Sequence, residues 1–594
     1  MLPASRGWAA RSGTREENVS AALTALVIRP SVYRAESSFC EVTTVLSSYA
    51  YPMSTRPVVM GVNGMVASAN PFASMAGVRM LQAGGNAFDA AVAVASTLGV
   101  VEPFMSGPGG IGVALMYVAK EKRLRVLNFS GRAPKKATPD QFTQETKDIG
   151  VRSALVPGNA LGWLTFHEAY GRLEREQVFA PAIDLAENGF GVTYFNYRHF
   201  IKQGARLQRH APSAALLFDR QGKVPDPGER HRFPQLAGTY KRLAKEGADV
   251  FYRGEIAEKI SRAQRDLKGL ITKDDLAAYK AEWEEPISIT YRGYEMFTTP
   301  PNSTGFQILQ TLKLMETYDP SELKFQHPDT AHAFIEAVKL CVTDRLLFGG
   351  DPDYVKAPLR TLLSDSYARK QRRRIHFTKP TIVAGEQFVA KRPVGSLVPL
   401  LHRKDEVEGG MTTHFAVADR DGNVVSITQT LGGGFGSAVV MGDTGVFLNN
   451  MAYWFDLDEA SPNRIAPWKR VDFCVAPVQA FHDGKFFLSL STPGSWGILQ
   501  TTPQMLMNVL DFGMNVQQAV DQPRLRVYEN KRVEMEERFP VNMRTELEQR
   551  GHDIQTIESW SLNVGGAQAI QFDAREGVFQ GGADPRRDGV AMGY

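Results

Sequence analysis

The sequence has little cysteine, no long apolar run and no excess of one charge. Three cysteines, Cys40, Cys341 and Cys474, in 594 residues permit at most one internal disulfide. A disulfide framework cannot hold such a chain together, and the spacing fits no zinc motif. No stretch is long and apolar enough to cross a membrane as a helix. The net charge of +4 comes from 68 basic and 64 acidic residues spread along the chain. Without a Lys/Arg stripe interleaved with aromatics, a nucleic-acid partner is not expected. No motif asks for a metal or an organic cofactor, and there are no repeats or heptads.

What remains is an ordinary globular composition, 43% hydrophobic and 22% charged, in a chain long enough for two to four domains or one large layered body. The first part is different. VSAALTALVI, 19–28, has the length of a signal-peptide core and follows Arg6, Arg11 and Arg15. Glu16 and Glu17 interrupt that basic region, and no small-residue cleavage site follows before Arg29 and Pro30. Residues 1–57 are therefore read as a disordered tail or as sequence upstream of the real start, with Met53 or Met60 as that start. The cytoplasm is favoured over a periplasmic or secreted location.

From about Val58 the pattern reads as a strand, an amphipathic helix, a Gly-Gly-Asn stop and a second, Ala- and Val-rich helix. Asp89 falls in that helix's first turn, where a negative charge suits the helix dipole. Helical periodicity dominates from Pro157 to Arg265 and again from Thr304 to Phe348, with a strand pair in ISITYRGYEMFTTPP between them. The segment from Lys370 to Glu408 reads as a charged surface loop, and from Thr412 to about Leu490 the pattern is strongly β. Mixed helices and strands of this kind imply packed sheets flanked by helices.

The informative stretch is TTHFAVADRDGNVVSITQTLGGGFGS, 412–437. Asp-Gly and Gly-Asn mark a turn centred on Asp421. Antiparallel pairing about that centre sets 418 opposite 424, 416 opposite 426, 414 opposite 428, and Thr412 opposite Thr430. One face then carries Thr412, His414, Ser426, Thr428 and Thr430; the other carries Phe415, Val417, Val425 and Ile427. A slip of one residue would invert the faces, so the pattern itself argues for the register. If the chain is cut before Thr412, its new α-amine sits beside its own hydroxyl and can act as base, with Thr430 positioning the oxygen. On the hairpin alone, a Thr–Thr cross-strand pair is ordinary strand decoration.

A series of co-linear blocks changes that balance. GGNAFDAAVAVASTLGVVEPFMSGPGGIG, GLITKDDLAAYK, FIEAVKLCVTDRLLFGGDPDYV, the hairpin, FGSAVV, GVFLNN, STPGS and GGADPRRDG resemble, in order and spacing, the γ-glutamyltransferase family of the N-terminal-nucleophile hydrolases. The likeness runs from about Met60 to Gly593. It implies a four-layer αββα sandwich of α/β (α+β) class. It also implies self-cleavage between Met411 and Thr412 into a large subunit, 58–411, and a small one, 412–594, which stay together as a heterodimer. Thr412 would be the nucleophile for the cut and for hydrolysis of a small-molecule amide. Thr430 would support it, and the backbone amides of Gly494 and Ser495 would form the oxyanion hole. The family has two glycines at those last positions, but a serine still offers an N–H.

The departures concern the part of the family's site that grips an amino-acid head group. The carboxylate-binding arginine's place holds Ser130, with Arg132 two positions on. The amine-binding acid becomes Trp454, with Asp456 nearby but out of register. A serine pair becomes Phe473 and Cys474, and the asparagine after the supporting threonine becomes Gly432. These swaps replace charged and hydroxyl contacts with apolar surface, where an unpaired charge is costly. The expectation is an amidohydrolase or acyltransferase for a less zwitterionic acyl group, with Arg132 still able to swing in on a carboxylate. A glutathione-type γ-glutamyl hydrolase and a non-catalytic binding protein on the same fold are the alternatives. His414 and Cys474 read as structural, and Asp584, Arg586 and Asp588 as a turn with ion pairs. SGPGGIG and LGGGFGS lack the order of a dinucleotide-binding motif.

Overall fold

A computed structural model describes residues 54–380, 411–528 and 532–594. Most of the expected N-terminal tail and most of the charged loop before Met411 lie outside the described residues. An eight-residue helix, Asp365–Arg372, reaches into the beginning of that loop.

Fourteen strands build two seven-stranded antiparallel sheets. In chain order they are β1 (Val59–Gly61), β2 (Gly64–Ser68), β3 (Ile111–Val118), β4 (Arg123–Phe129), β5 (Glu282–Glu284), β6 (Ile287–Tyr291) and β7 (Tyr294–Thr298). Then come β8 (Met411–Asp419), β9 (Val424–Gly432), β10 (Val478–His482), β11 (Lys485–Ser491), β12 (Gln568–Asp573), β13 (Val578–Ala583) and β14 (Val590–Gly593). The first sheet runs β1-β13-β12-β11-β10-β7-β6 and the second β14-β2-β8-β9-β3-β4-β5. The hairpin β8–β9 is thus central in its sheet, and both sheets mix strands from before and after Met411.

Side-chain alternation assigns the layers. Phe415, Val417, Val425 and Ile427 pack under a helical layer that includes α1 (Pro71–Gln82), α2 (Ala87–Val101), α3 (Asn159–Tyr170), α4 (Arg175–Asn188) and α5 (Pro234–Glu246). Ala416, Ala418 and Val424 face Phe481, Phe486, Ile570 and Phe579 of the other sheet. On that sheet's outer side lie α6 (Phe306–Met315), α7 (Pro328–Phe348) and α8 (Ile498–Leu510). The order is the expected αββα. Among the described residues no helix is long and apolar enough to cross a membrane.

Local chemistry fixes the elements that carry the hairpin. Every residue of α2 is buried, as its small side chains allow. The Asn86 side chain accepts from the Asp89 amide, and Asp89 Oδ2 accepts from Asn86 N at 2.8 Å, a capping box. Burial alone would raise the Asp89 carboxyl. His167 and the amides of Asn86, Leu173 and Arg172 overcome that and hold it below its ordinary value. The expectation of continuous β structure to Leu490 fails: β9 ends at Gly432, and β10 begins only at Val478. Between them lie turns, bends, isolated bridges and one short 3-10 helix, Met451–Trp454. The alternation there reflects burial in loops that line the site, with few strand partners.

Candidate active site

The hairpin has the expected register, with Thr412 opposite Thr430, His414 opposite Thr428 and Ala416 opposite Ser426. The pairing shifts between Met411 and Thr412, a bulge at the expected cleavage point. Met411, Thr412 and Thr430 are all buried. Thr412 Oγ1 donates to Thr430 Oγ1 at 3.0 Å, and Thr430 Oγ1 donates to the Met411 carbonyl at 2.8 Å. Thr430 Oγ1 also accepts from Gly432 N at 2.8 Å. The Thr430 hydroxyl therefore joins the Thr412 hydroxyl to the carbonyl of the preceding residue, and a backbone N–H polarises it.

Contacts lead from this pair around the space before it and back. Gly432 has φ 97° and passes so close to Asn450 that a Cβ would collide with its Oδ1, which explains the glycine. Asn450 accepts from Gly433 N at 2.7 Å and donates its own N–H to Leu431 O at 2.9 Å. The short helix ending at Trp454 starts there, and Trp454 lies 5.4 Å from Trp496, ring centroid to centroid. Trp496 follows Gly494 and Ser495. A Cβ on Gly494, φ 140°, would lie 3.2 Å from Gly565 Cα. Gly566 packs on the Arg587 side chain, and Arg587 Nη1 donates to the Thr412 carbonyl at 2.7 Å. Among the described residues neither the Gly494 nor the Ser495 N–H has an acceptor. Ser495 has φ 55°, a left-handed backbone that a glycine would adopt without strain.

The expected pocket residues divide. Trp454, Phe473 and Cys474 are buried in one apolar cluster with Trp496. Phe473 is fixed through its backbone, its carbonyl accepting from Thr304 N at 3.0 Å. Burial pushes the Cys474 thiol well above its ordinary value, so it is an inert group. The Arg345 guanidinium covers Trp496 at 3.9 Å from the ring centroid. Ser130 accepts from Asn302 Nδ2 at 3.1 Å. Arg132 is engaged elsewhere, donating to Glu282 Oε1 at 2.7 Å and to the Trp468 carbonyl at 3.0 Å. Arg470 pairs with the same Glu282, and with Glu284 and Asp351. To bind a substrate carboxylate, Arg132 would have to leave this network. Asp456 accepts from Ser461 Oγ at 2.6 Å and is buried. His414 Nδ1 bonds Thr428 Oγ1 at 2.8 Å, and burial pushes the ring down to about 3, so it stays neutral.

Among the described residues one buried set offers metal-type donors: His332 and Glu336 on α7, with His552. The Lys339 ammonium already donates to Glu336 at 2.7 Å and lies 3.4 Å from His552 Nδ1, while His332 Nδ1 bonds His552 Nε2 at 2.8 Å. A cation is thus built into the group, which ties α7 to the chain after Thr412. The C-terminal turn holds Asp584 with Arg524 and Arg586, as expected of a structural cluster. Sequence reasoning missed Arg587, its neighbour. The only available signal was a second arginine in GGADPRRDG.

A central threonine hairpin inside an αββα sandwich defines an enzyme of the N-terminal-nucleophile fold, acting on amide C–N bonds. Comparison with known proteins narrows this. The family described as gamma-glutamyltranspeptidase matches residues 73–594, and the chain belongs to it. The glutathione hydrolase-like YwrD proenzyme of Bacillus subtilis (strain 168) is 37% identical over 545 residues, 90% of this chain and 99% of that protein. The acylase ACY 1 proenzyme of Pseudomonas sp. (strain SE83) is 35% identical over 546 residues, 90% of this chain and 94% of that protein. The crystal structure of cephalosporin acylase from Bacillus halodurans superposes with a TM-score of 0.81 at 34% identity, covering 92% of this chain and 98% of its own. Relatives made as proenzymes imply processing into a large and a small subunit.

Proposed function

We propose that the chain cuts itself between Met411 and Thr412. Thr412 then hydrolyses the amide of a small acyl group other than γ-glutamyl. The observation that supports this most is the hydroxyl relay from Thr412 through Thr430 to the Met411 carbonyl. Thr412 Oγ1 adds to that carbonyl carbon and gives its proton to Thr430, which passes its own to the carbonyl oxygen. The C–N bond then breaks as the oxygen's new proton is passed to the leaving nitrogen and the carbonyl re-forms, which leaves Met411 as an ester on Thr412 and a free amine at the Thr412 nitrogen. Water hydrolyses the ester and frees the nucleophile. The mature residue repeats the chemistry on substrate, its amine accepting the Oγ proton and passing it to the leaving nitrogen. Gly494 N and Ser495 N stabilise the oxyanion; one such donor is worth about 10²–10³ in rate.

The acyl preference rests on what surrounds Trp454. The indole lies against Trp496, tilted to it, where the family has an acid, and Ser130 is bonded to Asn302 where the family has an arginine. A zwitterionic head group finds fewer charged partners there. The test is a side-by-side assay of γ-glutamyl and glutaryl p-nitroanilides. Preference for the glutaryl compound is expected; clear preference for the γ-glutamyl compound refutes the pocket argument and favours a glutathione hydrolase. A cytoplasmic location is part of this reading, supported by two buried free thiols, Cys341 and Cys474. Fractionation of the native host, with activity found outside the cytoplasm, would refute it.

A further inference from the structure

The hairpin face that carries the threonine pair also has a polar stretch that the relay does not use. Towards the turn, Ala416, Ala418 and Val424 meet Phe481, Phe486 and Phe579 across the layer between the sheets. Towards Thr412 the same face carries Ser426, then His414 and Thr428. The facing sheet changes in step. Gln479 lies opposite Ser489, Ser489 opposite Ile570, and Gln568 two residues before Ile570. Ile570 points into the layer, so opposed pairing and alternation put Gln479, Ser489 and Gln568 there too. β8 packs across the layer on β11 and β12, and β9 on β11. Gln479 spans it: its Nε2 donates to Leu115 O at 2.9 Å, and Leu115 is the β3 partner of Ser426.

Five strands thus each bring a wholly buried polar atom to one layer: His414 Nε2, Ser426 Oγ, Gln479 Oε1, Ser489 Oγ and Gln568 Oε1. Among the described residues none of these atoms has a hydrogen-bond partner. Native proteins match nearly all such atoms, either with protein groups or with ordered water.

We propose that this layer is a binding site for ordered water, which bridges the two sheets through these atoms and holds the His414 ring by Nε2. The other ring nitrogen bonds Thr428 Oγ1 at 2.8 Å, so the site supports the rung next to Thr412 and Thr430. The donor set selects water over an ion. Its members are hydroxyls, side-chain amides and an imidazole that burial keeps neutral. A cation would be buried there without a carboxylate, and an anion would face two amide oxygens; both are costly. Water donates and accepts, and so matches hydroxyl, amide and imidazole alike. The short side chains leave room. Stacked sheets lie about 10 Å apart and a serine oxygen stands about 2.4 Å from its own Cα, so Ser426 and Ser489 leave about 5 Å between them. That is too long for a direct hydrogen bond and suits one bridging water. The nucleophile end of the hairpin is therefore backed by hydrogen bonds, where the turn end is backed by phenylalanine. The site stands whether or not the chain cuts itself.

A high-resolution crystal structure of the full chain tests this directly. Water density within about 3.2 Å of Ser426 Oγ, Ser489 Oγ and His414 Nε2 is expected. A dry layer, direct bonds among these side chains, or an ion identified there by anomalous scattering overturns the proposal. Ser426→Ala and Ser489→Ala give a second reading through the unfolding midpoint in urea. If each hydroxyl holds a water, its removal loses a hydrogen bond and lowers the midpoint. If the hydroxyls are dry and unmatched, removal relieves a buried polar group, and a midpoint that stays or rises overturns the proposal. Should either variant not fold, the wild-type crystal structure decides alone. An uncut chain overturns the proposed function and leaves this test intact.

Discussion

Replacing Thr430 by valine keeps its volume and removes one oxygen. Three hydrogen bonds go with it: the one from Thr412 Oγ1 at 3.0 Å, the one to Met411 O at 2.8 Å and the one from Gly432 N at 2.8 Å. Losing the donor to Met411 O withdraws stabilisation as that oxygen gains charge, about 2.7–4 kcal/mol by analogy with an oxyanion-hole donor. That magnitude slows self-cleavage about 10²–10³-fold. The stranded Gly432 N–H costs about 1–3 kcal/mol of folding stability, small for a body of this size. No cavity forms, because valine fills the space. Thr430→Ser keeps the oxygen and is expected to cut within about tenfold of wild type. The assay is the fraction of uncut chain against time after purification, by denaturing electrophoresis and mass. Thr430→Val cutting as fast as wild type would show that the relay is not used.

The same geometry makes other outcomes checkable. Thr412→Ala stays a single chain and turns over neither anilide; turnover by that variant would remove Thr412 as nucleophile. Cys474 is fully buried, with its thiol pushed well up by burial, so the native protein resists thiol reagents at pH 8 and reacts only on unfolding. Rapid native labelling of Cys474 would contradict this. Arg524 and Arg586 overcome the effect of burial and hold the Asp584 carboxyl down to about 2, against 3.8 unperturbed. A folded pKa below the unfolded one gives stability that is present above about 4 and is lost as pH falls towards 2. His199 and His414, neutral down to about 3 against 6.5 unperturbed, add a loss that begins earlier as pH falls below 6.5. Asp584→Asn takes the carboxylate from the buried Arg524 guanidinium, while Arg586 keeps Glu536, and costs about 3–5 kcal/mol, read as a lowered midpoint in urea. An unchanged midpoint would make the cluster irrelevant to stability.

What the sequence disclosed follows from the range of each interaction. Strand alternation has a period of two, so the faces of 412–430 fixed their own register, and every expected pair is observed. The Asn86–Asp89 cap lies within one turn and was equally visible in part, through Asp89. Other features depend on chain segments far apart. Arg132 looked available because its partner Glu282 lies 150 residues along the chain. Arg587 stands 175 residues from the carbonyl it holds, and nothing local marks it. Residues 433–477 alternate like strands because loops that line a buried site must also bury alternate side chains. Periodicity alone cannot separate those two causes.

The central claim is that the hairpin starts at Thr412 because that residue becomes a chain end. Intact mass of the purified protein under denaturing conditions tests it most directly. Two fragments are expected, the smaller beginning at Thr412. A single uncut chain would contradict the account, leaving the threonine pair as strand decoration on a protein that does not mature.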